Sequence, residues 1–66
     1  MLKGTVKWFN KVKGLGFVTC EKGNDYFVHY SGIAGKGYKL LTEGSEVTFL
    51  VEETERGLLA KEVTQI

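Results

Sequence analysis

Apolar and polar residues alternate with a period of two through most of this chain. That is the spacing of a strand with one buried face, not of an amphipathic helix. Across residues 15–20, Leu15, Phe17 and Thr19 fall on one side and Gly16, Val18 and Cys20 on the other. Across residues 25–30, Asp25, Phe27 and His29 oppose Tyr26, Val28 and Tyr30. The turn cluster Glu21-Lys22-Gly23-Asn24 separates the two runs, so they read as a hairpin. Residues 6–9 are β-prone, and residues 46–53 alternate cleanly, with Val47, Phe49 and Val51 against Thr48, Leu50 and Glu52. Thr54-Glu55-Arg56-Gly57 marks a further turn before a last strand over residues 58–66. Residues 31–45 hold four glycines and read as a long connection, with one short helical turn near Ser31-Gly32-Ile33.

Parity assigns the faces. Val18 and Val28 are the natural inward residues of the hairpin, which turns Phe17, Phe27 and His29 outward. Trp8 and Phe9 are adjacent and cannot share a face; with Val6 inward, a twist or bulge is needed to turn Phe9 in and Trp8 out, and the flanking Lys7 and Asn10 favour this over a buried Trp8. Ala60 and Val63 both suit the interior, yet they stand three positions apart. A second bulge is expected there. Five short strands with glycine-rich turns and no amphipathic helix predict an all-β fold, a small barrel.

Length limits what else can help. At 66 residues the chain makes one domain, 1–66. A chain of this size buries only about 60% of its extended surface. With one cysteine there is no internal disulfide. Cys20 and His29 are the only soft metal ligands, too few for a structural zinc site. Neither a secretory leader nor a membrane span is expected, and a lone thiol suits a reducing compartment, so the cytoplasm is expected.

The net charge of +1 points to no partner, but its distribution does. Residues 1–39 carry seven lysines against Glu21 and Asp25; residues 40–66 carry Arg56 and Lys61 against six glutamates. Seven of the eight aromatics lie between Trp8 and Tyr38. Lysines interleaved with aromatics form the footprint of a nucleic-acid surface. Composition alone fits equally a small β protein whose lysines are merely solvated. The outward parity of Phe17 and Phe27 favours the first reading, because an exposed aromatic patch on a small domain marks a binding site. Such a patch suits single strands, since every base has a face to stack and the cations meet phosphates. No helix or ribbon for reading a duplex groove is evident.

The motifs resemble those of a known family. KGLGFV (13–18) and YFVHY (26–30) are similar to the two RNA-binding signatures of the bacterial cold-shock proteins. GTVKWFN (4–10), SGI, GKGYK and EGSEVTF (43–49) extend the resemblance along the whole chain. It implies a five-stranded antiparallel OB-type barrel that binds single-stranded RNA and DNA. It further implies an ATP-independent RNA chaperone, active in cold adaptation and in regulation of transcription or translation, with pyrimidine-rich targets. The family's binding positions map to Lys7, Trp8, Asn10, Lys13, Phe17, Asp25, Phe27, His29, Tyr30, Tyr38 and Arg56. Stacking would fall to Trp8, Phe17, Phe27, His29, Tyr30 and Tyr38. Lys7, Lys13 and Arg56 would meet phosphates or base edges, and Asn10 and Asp25 would hydrogen-bond bases. A monomer with no catalytic residue, cofactor or metal is expected.

Three features depart from the family pattern. Leu15 stands where phenylalanine is usual, Tyr30 and Tyr38 replace common phenylalanines, and LLAKE (58–62) replaces a segment that often holds proline and asparagine. Two other function classes compete. A peptide-docking barrel could use Trp8, Phe17 and Phe27. A nuclease would need paired carboxylates or a histidine cluster on the aromatic face, which the sequence does not supply. RNA-recognition-motif domains share a similar signature but need two helices, for which this chain has neither length nor period.

Overall fold

The computed structural model describes residues 1–35 and 40–66. Strands β1 (Leu2–Asn10), β2 (Leu15–Cys20), β3 (Asp25–His29), β4 (Glu46–Thr54) and β5 (Gly57–Gln65) close into one barrel in the order β1-β2-β3-β5-β4. A single 3-10 turn, Tyr30–Gly32, follows β3, one residue earlier than the sequence places it. This is the expected all-β, OB-type architecture. Four of the five pairings are antiparallel. The seam between β3 and β5 is parallel, with Phe27 opposite Leu59. The fully antiparallel barrel is therefore corrected at one seam: the long connection after β3 and the β4–β5 hairpin bring β5 back running with β3.

The interior follows parity. Val6, Val18, Val28, Val47, Phe49, Ala60 and Val63 are buried, with Cys20, Ile33 and Leu41 completing the core. Phe49 is the largest side chain wholly enclosed, and Tyr26 lies tilted against it at 5.7 Å. Ile33 forms a parallel bridge to Val63, and Leu41 is buried as well. The long connection thus contributes two core residues. No buried side-chain polar atom among the described residues lacks a partner.

Both expected irregularities are present. The β1–β2 register shifts between Val6 and Trp8, leaving Lys7 as the extra residue. Trp8 is consequently exposed while Phe9 packs against the core. The β4–β5 register shifts between Thr48 and Leu50, so that Phe49 faces the step from Glu62 to Val63. Glu62 has φ of 50°, the left-handed conformation of a bulge residue, and this lets Ala60 and Val63 both point inward.

Two glycines seat the barrel wall beneath the aromatic residues. A Cβ at Gly16 would collide with the Trp8 carbonyl oxygen, so only glycine permits β1 and β2 to approach so closely there. Gly14 has φ of 68°, and a Cβ would lie 2.8 Å from the Tyr30 ring.

Candidate nucleic-acid interface

The outward residues of three neighbouring strands form rows. In one row Trp8 pairs with Phe17 across β1 and β2, and Phe17 with Phe27 across β2 and β3. The ring centroids lie 5.5 Å and 5.7 Å apart, tilted at 50° and 73°. Those are separations of mutually supporting aromatic pairs. Trp8 is 39% exposed; Phe17 and Phe27 are half-buried, their neighbours covering the edges. Phe9, half-buried against the core, and the Lys7 bulge fix the orientation of Trp8. Without the bulge Trp8 would not share this face.

One row is displaced by two residues, roughly 6.5 Å along the strands. There Leu15 pairs with His29. The His29 and Tyr30 rings lie 4.5 Å apart at 42°. Tyr30 rests on Gly14, whose carbonyl accepts its backbone N–H at 2.8 Å. The row ends at the β1–β2 turn. There Asn10 Oδ1 accepts the backbone N–H groups of Val12 and Lys13, each at 2.9 Å. This turn projects Lys13 into solvent next to Leu15. The side-chain oxygen of Asn10 is occupied by that duty, which leaves the side-chain NH2 group as its remaining donor.

On the other side of the aromatic row the surface is polar. Thr19 pairs with Asp25 across β2 and β3. Thr19 Oγ1 donates to Asp25 Oδ1 at 2.8 Å, and Lys7 Nζ forms an ion pair with Asp25 Oδ2, also at 2.8 Å. The Lys7 hydrogen bond, with that from Thr19, holds the exposed Asp25 carboxyl below its usual pKa.

Nine of the expected site residues therefore gather on the β1–β3 face: Lys7, Trp8, Asn10, Lys13, Phe17, Asp25, Phe27, His29 and Tyr30. Arg56 does not join them directly. It sits at the tip of the β4–β5 hairpin, where its backbone N–H donates to Thr54 Oγ1. The parallel register places that tip beyond the Asp25 end of β3. Among the described residues the single ion pair is Lys7–Asp25, so no neighbouring glutamate holds the Arg56 guanidinium. Tyr38 lies outside the described residues. No group of His, Cys, Asp and Glu fit to hold a metal occurs among the described residues. None of the described helices is long and apolar enough to cross a membrane.

Comparison with known proteins settles the family. The sequence model for the "'Cold-shock' DNA-binding domain" matches residues 2–66. The chain belongs to the cold-shock domain family. The cold shock-like protein CspE of Bacillus anthracis is 55% identical over 65 residues, covering 98% of this chain and 97% of the relative. The major cold shock protein CspA of Pseudomonas aeruginosa is 57% identical over 60 residues, covering 91% and 87%. The cold shock-like protein CspLB of Listeria monocytogenes is 52% identical over the full length of both chains.

Within this cold-shock domain, three contributors escape a reading of the sequence alone. Thr19 holds Asp25; its shared parity with Phe17 was the available signal. Ser31 holds His29 by hydrogen bonds to Nδ1. Leu59 extends the aromatic row onto β5 beside Phe27, and only the parallel seam reveals it.

Proposed function

We propose that this cold-shock domain binds single-stranded RNA and DNA on the β1–β3 face and acts as an ATP-independent RNA chaperone. The observation that carries the reading is the row Trp8–Phe17–Phe27, with rings paired across three adjacent strands and cations at both flanks. Bases stack on such rings for about 1–3 kcal/mol each. Lys13 and Arg56 meet the backbone, and Lys7 exchanges its contact with Asp25 for contacts to the strand. The residues in roles are Lys7, Trp8, Asn10, Lys13, Phe17, Asp25, Phe27, His29, Tyr30, Tyr38 and Arg56.

Melting of RNA structure then follows from mass action. A base on the protein is withdrawn from a duplex, and the equilibrium shifts with protein concentration, not with nucleotide hydrolysis. The targets are short, within the roughly 4–16 nucleotides of one OB fold, and modestly pyrimidine-rich. The domain works in the cytoplasm as a monomer, without catalysis, and serves cold adaptation and the regulation of transcription or translation.

The test is quenching of Trp8 fluorescence by oligo-dT and by an equally long duplex at two salt concentrations. The expected result is quenching by the single strand alone, weakening with salt at a log–log slope of about −1.5 to −3 for two to four phosphate contacts. Salt-insensitive binding of a peptide with no quenching by either nucleic acid would replace this reading with peptide docking. A hairpin carrying a fluorophore and quencher, opened by the protein without ATP, tests the chaperone step.

A further inference from the structure

His29 is the chain's only histidine, and its ring is held on two sides. The ring lies tilted against Tyr30, which is itself seated on Gly14. Its Nδ1 lies 2.9 Å from Ser31 Oγ and accepts the Ser31 backbone N–H at 3.3 Å, as the N-cap of the Tyr30–Gly32 turn. A backbone N–H can only donate. Nδ1 must therefore present its lone pair, and in the neutral ring the proton resides on Nε2. The Ser31 hydroxyl, at hydrogen-bond distance from the same nitrogen, then donates to it also.

We propose that Ser31 locks His29 in the Nε2–H tautomer, making the imidazole a hydrogen-bond donor that reads acceptor atoms of one bound base and refuses exocyclic amino groups. The base-reading half rests on the single-strand binding proposed above. A groove of about 390 Å³, lined by Phe27, His29, Leu59 and Lys61 and also by the carboxylates Glu52 and Glu62, continues from the aromatic row and gives such a base room. Stacking alone tolerates every base, since each has a π-face. A fixed donor adds discrimination, because a donor set against an amino group leaves both unpaired. Thymine and uracil, with two carbonyl oxygens flanking one N–H, offer an acceptor in either glycosidic orientation.

Two measurements on the full chain test this. The first is the long-range nitrogen–proton correlation spectrum of the single histidine in the free protein. The expected pattern has the proton on Nε2 and an unprotonated Nδ1, in the wild type and in Ser31→Ala, which keeps the backbone donor. A proton on Nδ1 overturns the lock. The second is a set of oligo-dT ligands, each with one thymine replaced by difluorotoluene, an apolar isostere without carbonyl acceptors. In the wild type one position should lose about three- to tenfold in affinity beyond the others. In His29→Phe, which keeps a stacking ring but no donor, that extra loss should vanish while the remaining profile stays. Identical profiles for the two proteins overturn the base-reading role. If no oligonucleotide binds at all, the single-strand function and with it the base reading fall, and the spectrum of the free protein still decides the tautomer.

Discussion

The two halves of this barrel wall have similar insides and opposite outsides. Strands β1–β3 send Val6, Val18 and Val28 inward, and β4–β5 send Val47, Phe49, Ala60 and Val63. Outward, the first half carries Trp8, Phe17, Phe27 and His29 with lysines around them, whereas the second carries Thr48, Leu50, Glu52 and Glu62. Burial drives both halves into one barrel, because apolar area removed from water is the dominant favourable term. The outside is not needed for closure: β4 and β5 pair over more positions than β2 and β3 without any outward aromatic ring. The aromatics of β1–β3 are therefore an addition to the fold, and the outward carboxylates Glu52 and Glu62 stand on the other half.

The sharpest way to break this comparison is to strike the shared inside. Phe49→Ala should cost about 3–5 kcal/mol. That is comparable to the whole stability of a domain this size, roughly 3–10 kcal/mol at 0.05–0.15 kcal/mol per residue. Denaturant titration should find the variant largely unfolded, with binding lost as a consequence. Phe27→Ala strikes the outside alone. Single-strand affinity should fall by about 1–3 kcal/mol, with the urea midpoint moving far less than in Phe49→Ala. Equal losses of affinity and stability would mean that the aromatic row is structural after all.

Leu15→Phe extends the difference between the halves. Leu15 pairs with His29 and lies beside Phe17, so a ring there adds a stacking platform to the second row. Affinity for oligo-dT should rise by up to about 1–3 kcal/mol; an unchanged value would show that position 15 is no platform. Glu62→Gly acts on the acidic half. It relieves the left-handed conformation of Glu62, and the gain in thermal stability should be about 0.5–1 kcal/mol after the entropy of glycine is subtracted.

The smallest effect concerns acid. Asp25 has a folded pKa below its usual 3.8, so its ion pair favours the fold at higher pH. That contribution is present above 3.8 and is lost as pH falls through the lower folded value. Asp25→Asn should lower stability slightly at neutrality, where the ion pair is intact, and flatten the profile below about pH 4, as thermal melts across pH would record.

Parity made much of this legible. Alternation placed Val18 and Val28 inside and Phe17, Phe27 and His29 outside, and the two parity conflicts, Trp8 with Phe9 and Ala60 with Val63, marked the two bulges. Both are local signals, since a strand of period two cannot hide an extra residue. The β3–β5 seam carried no such signal. Parallel pairing joins residues distant in sequence, and nothing near Phe27 or Leu59 records the partner. Ser31 and Thr19 were obscured differently. Hydroxyls abound in turns and strands alike, and their importance lies in which side chain they meet. Lys7 and Asp25 each read as a ligand contact; the structure pairs them with one another first.

The seam has one more consequence. An open sheet leaves a row of unpaired N–H and C=O groups at each margin, and these template the addition of further strands. Here every strand has a neighbour on both sides, because β3 and β5 meet. Closure narrows the route by which β-rich chains at high concentration zip into fibrils. The exposed rings, broken up by lysine and histidine, offer side chains to a ligand but no backbone to extend.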